Sequence, residues 1–324
     1  MKKKFLLVWL LAAVLLLCAG CGKNEAKNKE NLKIGALKGP TAIGLMDMMD
    51  RFGGEGTDSG YEFTIAVQAD ELLAKMVKGE LDIALVPANA AATLYQKTEG
   101  NVAAIGINTL GVLYLVTGND SIKNITDLSG KTIYLTGKGT TPEYVLKHIL
   151  AENGLTDSCS LEYKSEATEV AALLAENPDA VGLLPQPFAT AACMQNEKLK
   201  AVLDMNEEWD KIHDKTSRMV TGVTLVRKEV LENRPEDIKE FLEEQAKSVD
   251  CAANDTERVA LLTVNAGIVA KEQIALKAIP KCNIVCITGK EMKEALSGYL
   301  QVLYDADPAS VGGKLPEEDF YAVN

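Results

Sequence analysis

Ala69-Asp70-Glu71-Leu72-Leu73-Ala74 leads into Leu81-Asp82-Ile83-Ala84-Leu85-Val86-Pro87. The same progression returns, ungapped and 98 positions later, as Ala167-Thr168-Glu169-Val170-Ala171-Ala172 leading into Asp179-Ala180-Val181-Gly182-Leu183-Leu184-Pro185. Each copy reads as a helix, a short apolar run and a proline. Apolar runs of this length suit strands inside a parallel sheet covered by helices. Upstream, Phe63-Thr64-Ile65-Ala66-Val67 and Leu161-Glu162-Tyr163 add a further strand to each copy. Earlier still, Leu32 to Leu37 is strand-like, Lys38-Gly39-Pro40-Thr41 is a turn, and Ala42 to Met49 carries apolar residues at helical spacing. One hundred residues on, Lys131 to Leu135, Lys138-Gly139-Thr140-Thr141 and Pro142 to Asn153 repeat that order, with Gly154 as the stop. The turns share Lys-Gly-x-Thr.

Two βαβ-built lobes of one plan follow, so the fold class is α/β with each lobe a helix-covered, mostly parallel sheet. Ile105 to Thr117 and Thr221 to Val226 read as the two crossings between lobes. The expected division is 32–112 plus 222–324 for lobe 1 and 113–221 for lobe 2. Pro235 to Leu303 is mostly amphipathic helix, with Ile238, Phe241, Leu242 and Gln245 on one stripe, and is expected to pack back on the first lobe.

The chain begins with Lys2, Lys3 and Lys4, an apolar stretch from Phe5 to Leu17, and small residues closing on Cys21, the pattern of a signal peptide over 1–20. About thirteen apolar residues fall short of the roughly 20 that span a bilayer as a helix. Residues 21–31, rich in Lys, Asn and Glu, read as a flexible tether. The formal charge of −12 becomes −15 once the three leader lysines are removed, which excludes nucleic acid as a natural partner. Of seven cysteines, Cys18 departs with the leader. Cys159, Cys193, Cys251, Cys282 and Cys286 are irregularly spaced and read as small buried hydrophobes. With only His148 and His213 in the chain, a zinc site of the usual ligand type has little support, and no cofactor is expected.

Ligands of open parallel sheets sit beyond the carboxyl ends of the strands. In lobe 1 those ends are the turn with Lys38, Gly39 and Thr41, and the segment with Ala88 and Asn89. In lobe 2 they are the turn with Gly139, Thr140 and Thr141, and Gln186-Pro187. Thr141 reads as an N-cap, with Pro142 at the first helical position, leaving backbone N–H groups for a carboxylate, sulfonate or phosphate. Thr41 is expected to act likewise. Asn89, Gln186 and Gln68 offer neutral hydrogen bonds. Gly137 to Thr141 lacks the P-loop spacing, and neither G-x-S-x-G nor H-E-x-x-H occurs. His148, inside a helix, and Trp209 read as packing residues; His213 sits among charges.

Ala19-Gly20-Cys21 resembles the lipobox of bacterial lipoproteins, with Cys18 where that pattern usually has Leu. Ile34 to Thr41, Gly79-Glu80-Leu81-Asp82-Ile83-Ala84, Leu128-Ser129-Gly130-Lys131-Thr132-Ile133 and Leu184-Pro185-Gln186-Pro187-Phe188 resemble recurring stretches of the substrate-binding proteins of ABC importers. The branch is that of sulfonate, nitrate and thiamine-precursor binders, and the likeness covers about residues 32 to 300. Glu80 to Ala84 and Asp127 to Lys131 are its most telling parts. The resemblance implies a type II periplasmic-binding fold, two lobes closing on one small organic or oxyanionic solute, and docking on a permease driven by its ATPase. Members often have Glu where this chain has Gln186. Cytosolic pyrimidine-forming enzymes of the same fold carry clustered cysteines and an active-site histidine; no such cluster occurs here. An extracytoplasmic enzyme on the same scaffold, or a sensory solute receptor, is the alternative function.

Lipid on Cys21 would hold the protein at the membrane outside the cytoplasm. Replacing Cys21 with Ser is expected to move it into the soluble fraction on cell fractionation; persistent membrane association would rule out the lipid tether.

Overall fold

The computed structural model describes residues 30–54, 59–213 and 217–323. The first copy runs β1 (Leu32–Leu37), α1 (Pro40–Ile43), α2 (Met46–Phe52), β2 (Tyr61–Ala66), α3 (Ala69–Val77), β3 (Ile83–Pro87), α4 (Ala88–Lys97) and β4 (Val102–Leu110). Next come β5 (Leu113–Thr117), β6 (Thr132–Leu135), α5 (Thr141–Glu152), β7 (Ser160–Tyr163), α6 (Ala167–Glu176), β8 (Val181–Pro185), α7 (Phe188–Gln195), β9 (Lys200–Asp204) and α8 (Met205–His213). The chain returns through β10 (Val220–Arg227) and ends with α9 (Lys228–Asn233), α10 (Pro235–Asn254), α11 (Thr256–Asn265), α12 (Glu272–Ala278), β11 (Ile284–Ile287) and α13 (Gly289–Ala306).

The strands form two sheets, ordered β11-β4-β10-β3-β1-β2 and β7-β6-β8-β5-β9. In the first, β1 pairs in parallel with β2 and β3; in the second, β6 does so with β7 and β8. Beyond this shared parallel triplet lies an antiparallel strand that has just crossed from the other sheet. β10 slots between β3 and β4, and β5 between β8 and β9. Each sheet is therefore mixed, because each lends the other one interior strand. All residues of β4 and β5 are buried, which accounts for their mostly apolar sequence, while the buried Asn108 and Thr109 hydrogen-bond within the interior. The exchange binds both sheets into one compact unit, Leu32–Asn324.

Asp82 fixes where the returning strand docks. Its Oδ2 accepts from the backbone N–H of Lys33 on β1 at 3.0 Å, and its Oδ1 takes Nη2 of Arg227 at the end of β10 at 2.7 Å. The Arg227 Nε donates to Leu81 O at 3.0 Å, while the Asp82 N–H and C=O bond the backbones of Lys33 and Arg227. One carboxylate thus joins three strands, leaving little of its hydrogen-bonding capacity unmet.

The C-terminal helices do more than return to the first sheet. α10 buries Ile238, Phe241 and Gln245 and packs on α2 and β11, as its stripe predicts. α13 buries Met292, Leu296, Tyr299, Leu300 and Leu303, touching α4 and β4 on one side and α5 on the other. Just past its end, Asp307 Oδ2 lies 2.9 Å from the Tyr144 hydroxyl of α5. An apolar stripe tells that a helix is covered, not that two lobes cover it.

Replacing Asp82 with Ala strands the Arg227 guanidinium and the Lys33 N–H. The expected cost is roughly 2–4 kcal/mol, below the roughly 3–5 of a fully buried pair because the Arg227 side chain keeps 23 % of its exposure. A urea unfolding midpoint checks this, and an unchanged midpoint removes the role given to Asp82.

Candidate functional site

After β1 the backbone turns through Gly39 at φ 136°, a value side-chain-bearing residues rarely adopt, and enters α1 at Pro40. Lys38 is exposed and its N–H donates to Ala66 O at 2.8 Å, fixing the turn to the end of β2. Thr41 is 5 % exposed, so it is an interior residue of the turn rather than a cap; Gly39 holds the cap position. A Cβ on Gly222 of β10 would come within 3.1 Å of the Thr41 methyl and 2.4 Å of Asn108 Oδ1. Beneath it lies a buried polar cluster: Asn108 Nδ2 and Gln245 Nε2 both donate to Thr224 Oγ1, at 3.3 and 3.2 Å, and the Thr109 hydroxyl donates to Asn108 Oδ1 at 2.9 Å. At the end of β3, Ala88 is buried and Asn89 half-buried, both opening α4. Gln68 is exposed ahead of α3, next to Val67, whose side chain is 67 % exposed.

The matching turn of the second sheet is arranged differently. Thr140, not Thr141, stands at the cap of α5, and its hydroxyl donates to Gly137 O at 2.6 Å instead of accepting from the helix. The accepting role falls to Glu143, whose Oε2 takes the Gly139 N–H at 2.5 Å. Lys147 pairs with the same carboxylate, and Tyr163 hydrogen-bonds it. Burial pushes the Glu143 carboxyl up, but Lys147, the Gly139 N–H and Tyr163 together outweigh it and hold the group below its ordinary value. An anion arriving at this turn meets an internal carboxylate in place. Lys138 extends over the Tyr163 ring, 5.5 Å from its centroid. Thr141, in the first turn of α5, stands beside the buried Tyr299 of α13.

Beyond β8, Gln186 is 2 % exposed and joined to Pro187 by a cis peptide. Its backbone N–H donates to Val112 O at 2.9 Å, and its Oε1 accepts from the Thr190 hydroxyl at 2.8 Å. Its Nε2 has no hydrogen-bond partner among the described residues. Near the crossing, Gly111 N–H donates to Asn206 Oδ1 at 3.2 Å, and Asn283 Nδ2 donates to Gly111 O at 2.6 Å. The Tyr114 hydroxyl reaches Lys281 O at 2.9 Å.

Sequence patterns pointed to these turns but missed three features. The Asn108–Thr224–Gln245 cluster joins residues far apart in the chain. Glu143 had a signal, a carboxylate in the first turn of a helix. The chain's two histidines had none: they meet with Nε2 atoms 2.8 Å apart. Among the described residues no group of three or more His, Cys, Asp or Glu is arranged to hold a metal, and no helix is long and apolar enough to cross a membrane. Cys21 lies outside the described residues.

The fold is the two-lobed periplasmic-binding fold, and solved structures similar to it include substrate-binding proteins of ABC transporters. An ABC transporter protein from Parabacteroides distasonis matches with TM-score 0.76 at 23% identity, over 90% of this chain and 98% of its own. The periplasmic aliphatic sulphonate binding protein SsuA from Escherichia coli matches with TM-score 0.70 at 15% identity, over 89% and 92%. DszB in complex with biphenyl-2-sulfinic acid matches with TM-score 0.62 at 13% identity, over 91% and 96%. At these identities the likeness defines the fold. The chain belongs to the family described as menaquinone biosynthesis, whose model matches residues 33–284. No curated protein matches it.

Replacing Glu143 with Gln removes the charge that holds the Gly139 turn, at an expected cost of about 1–3 kcal/mol at neutral pH. A carboxyl lowered on folding contributes stability above its unfolded value that is lost as pH falls through the folded one. The substitution should therefore flatten the acid limb of the stability–pH curve. An identical curve for the variant would remove Glu143 from the turn.

Proposed function

We propose that this protein is the extracytoplasmic solute-binding component of an ABC importer, tethered through Cys21 and capturing a small organic or oxyanionic solute between its lobes. What supports this is that the two sheets carry the same parallel triplet, each flanked by one strand exchanged from the other, and so the same pair of strand ends beyond which ligands of such sheets bind. Lobe 1, residues 32–112 with 222–324, offers Lys38, Gly39, Thr41, Gln68, Ala88 and Asn89. Lobe 2, residues 113–221, offers Gly139, Thr140, Thr141, Gln186 and Pro187. Closure about the two crossings between the sheets is the mechanism, with the solute favouring the closed population through contacts that exist only there. The Gln186 amide, oriented by Thr190, would donate to a solute oxygen.

The family description favours a second reading, an enzyme on this scaffold. Against it, burial raises the pKa of all five described cysteines, which suppresses the thiolate a nucleophile needs. The two histidines are engaged with each other rather than with the proposed site residues.

A thermal-shift screen of sulfonates, carboxylates, pyrimidines and nitrate should find a stabilising solute that is recovered chemically unchanged. Product formation would instead establish the enzyme. For that solute, Thr141→Ala with Asn89→Ala is expected to weaken affinity by about five- to 150-fold, from two hydrogen bonds at about 0.5–1.5 kcal/mol each. Equal affinity for the double variant would take both residues out of the site.

A further inference from the structure

His148 on α5 and His213 at the end of α8 are the only histidines in 324 residues, and the fold brings them together. Their Nε2 atoms are 2.8 Å apart, with ring planes 14° from parallel and centroids 5.0 Å apart. That centroid separation is near the largest a 2.8 Å contact permits, so the nitrogens face each other head to head. Trp209, fully buried, lies against both rings, with centroids 5.0 Å from His148 and 4.7 Å from His213. Tyr299 of α13 also packs on Trp209, with centroids 5.4 Å apart. The pair thus stands at the junction of α5, α8 and the helix that spans both lobes.

We infer that His148 and His213 form an acid-operated clamp, in which a shared N–H···N bond holds α5 to α8 and a second added proton breaks it. In the neutral pair one Nε2–H donates to the lone pair of the other ring, whose proton is on Nδ1. A first added proton goes to Nδ1 of the donor ring and leaves the bond intact. A second goes to the accepting Nε2, replacing its lone pair with an N–H and setting two cations at contact distance. The rings must then part, and their packing on Trp209 changes with them.

The surroundings are mixed in charge. Glu152, one turn along α5, favours protonation of both rings, as does Asp210 on α8 for His213. Asp210 is itself paired with Arg218. Lys147, Cys159, Tyr163 and Asp305 line, with His148, a cavity of about 850 Å³ beside the pair, and Tyr299 is the titratable group of α13 behind Trp209. Burial dominates for both rings, with His213 adding repulsion at His148, and both imidazoles titrate below their ordinary 6.5. Because the unfolded chain binds these protons more readily, stability falls as pH drops below 6.5. Collinear nitrogens aim at each other and not at a common apex, which favours a proton over a metal ion as the occupant.

The test uses the full chain carrying Trp9→Phe, so that Trp209 is its sole indole. Imidazole NMR through a pH titration should show two macroscopic steps separated by more than about one pH unit, the lower one below 6.5. Trp209 emission should change with the lower step. In His148→Gln and His213→Gln, each checked for folding by circular dichroism at pH 7.5, the remaining histidine should titrate in one step and the low-pH emission change should vanish. The wild-type arm decides even where a variant does not fold. Two independent steps near the ordinary value, or emission flat through the lower step, would overturn the clamp. So would stoichiometric binding of Zn²⁺ or Ni²⁺ that requires both histidines.

Discussion

The carboxylate of Asp82 is the joint on which the architecture turns. β10 arrives from the second sheet and must insert between β3 and β4, where a slip of one residue would turn its buried face to the helices of the wrong side. Arg227 ends that strand, and its guanidinium reaches both Asp82 and Leu81 O, so the register is fixed by a charged pair at the strand's far end. Asp82 also accepts from Lys33, linking that end of β10 to β1, the centre of the parallel triplet. In the second copy Ala180 stands at the equivalent position. There β5 follows β4 after two residues, Gly111 and Val112, so its docking is constrained by chain connectivity and needs no such pair.

The same asymmetry runs through the two turns. Both combine a lysine with a glycine of positive φ, yet the first leads into a four-residue helix and the second into one of twelve. The longer helix carries a carboxylate, Glu143, in its first turn, where a helix N-terminus favours negative charge, and the four-residue helix carries none. Two turns that read alike therefore present different surfaces, one open at Gly39 and one already holding a carboxylate at Gly139.

Much of the fold was legible because its signals are local. Helix, apolar run and proline recur at a fixed offset, and α3 with β3 matches α6 with β8 as read. The antiparallel strand in each sheet was less visible, since its partners come from the other half of the chain. The cap of α5 was misplaced by one residue because two adjacent threonines offer the same hydroxyl. The preference of Thr140 for Gly137 O is tertiary geometry rather than composition. Helix α13 and the histidine pair depend on contacts across 65 residues or more, and no periodicity encodes those.

That last class of contact also limits what motion the fold permits. Two lobes joined only by β-strand crossings would hinge freely. Here α13 is packed against both, with Tyr144 at Asp307 and Trp209 at Tyr299 as its points of contact with lobe 2. Any opening about the two crossings must slide α5 and α8 along this helix or part them from it. Gly298 of α13 lies so close to Ser217 that a Cβ there would be 2.8 Å from the serine Cβ, so the helix approaches the returning chain as nearly as backbone allows. Closure of the kind proposed would therefore be a matter of shear along one helix as much as rotation about two crossings, and residues on that seam, remote from the strand ends, would set how readily the lobes move.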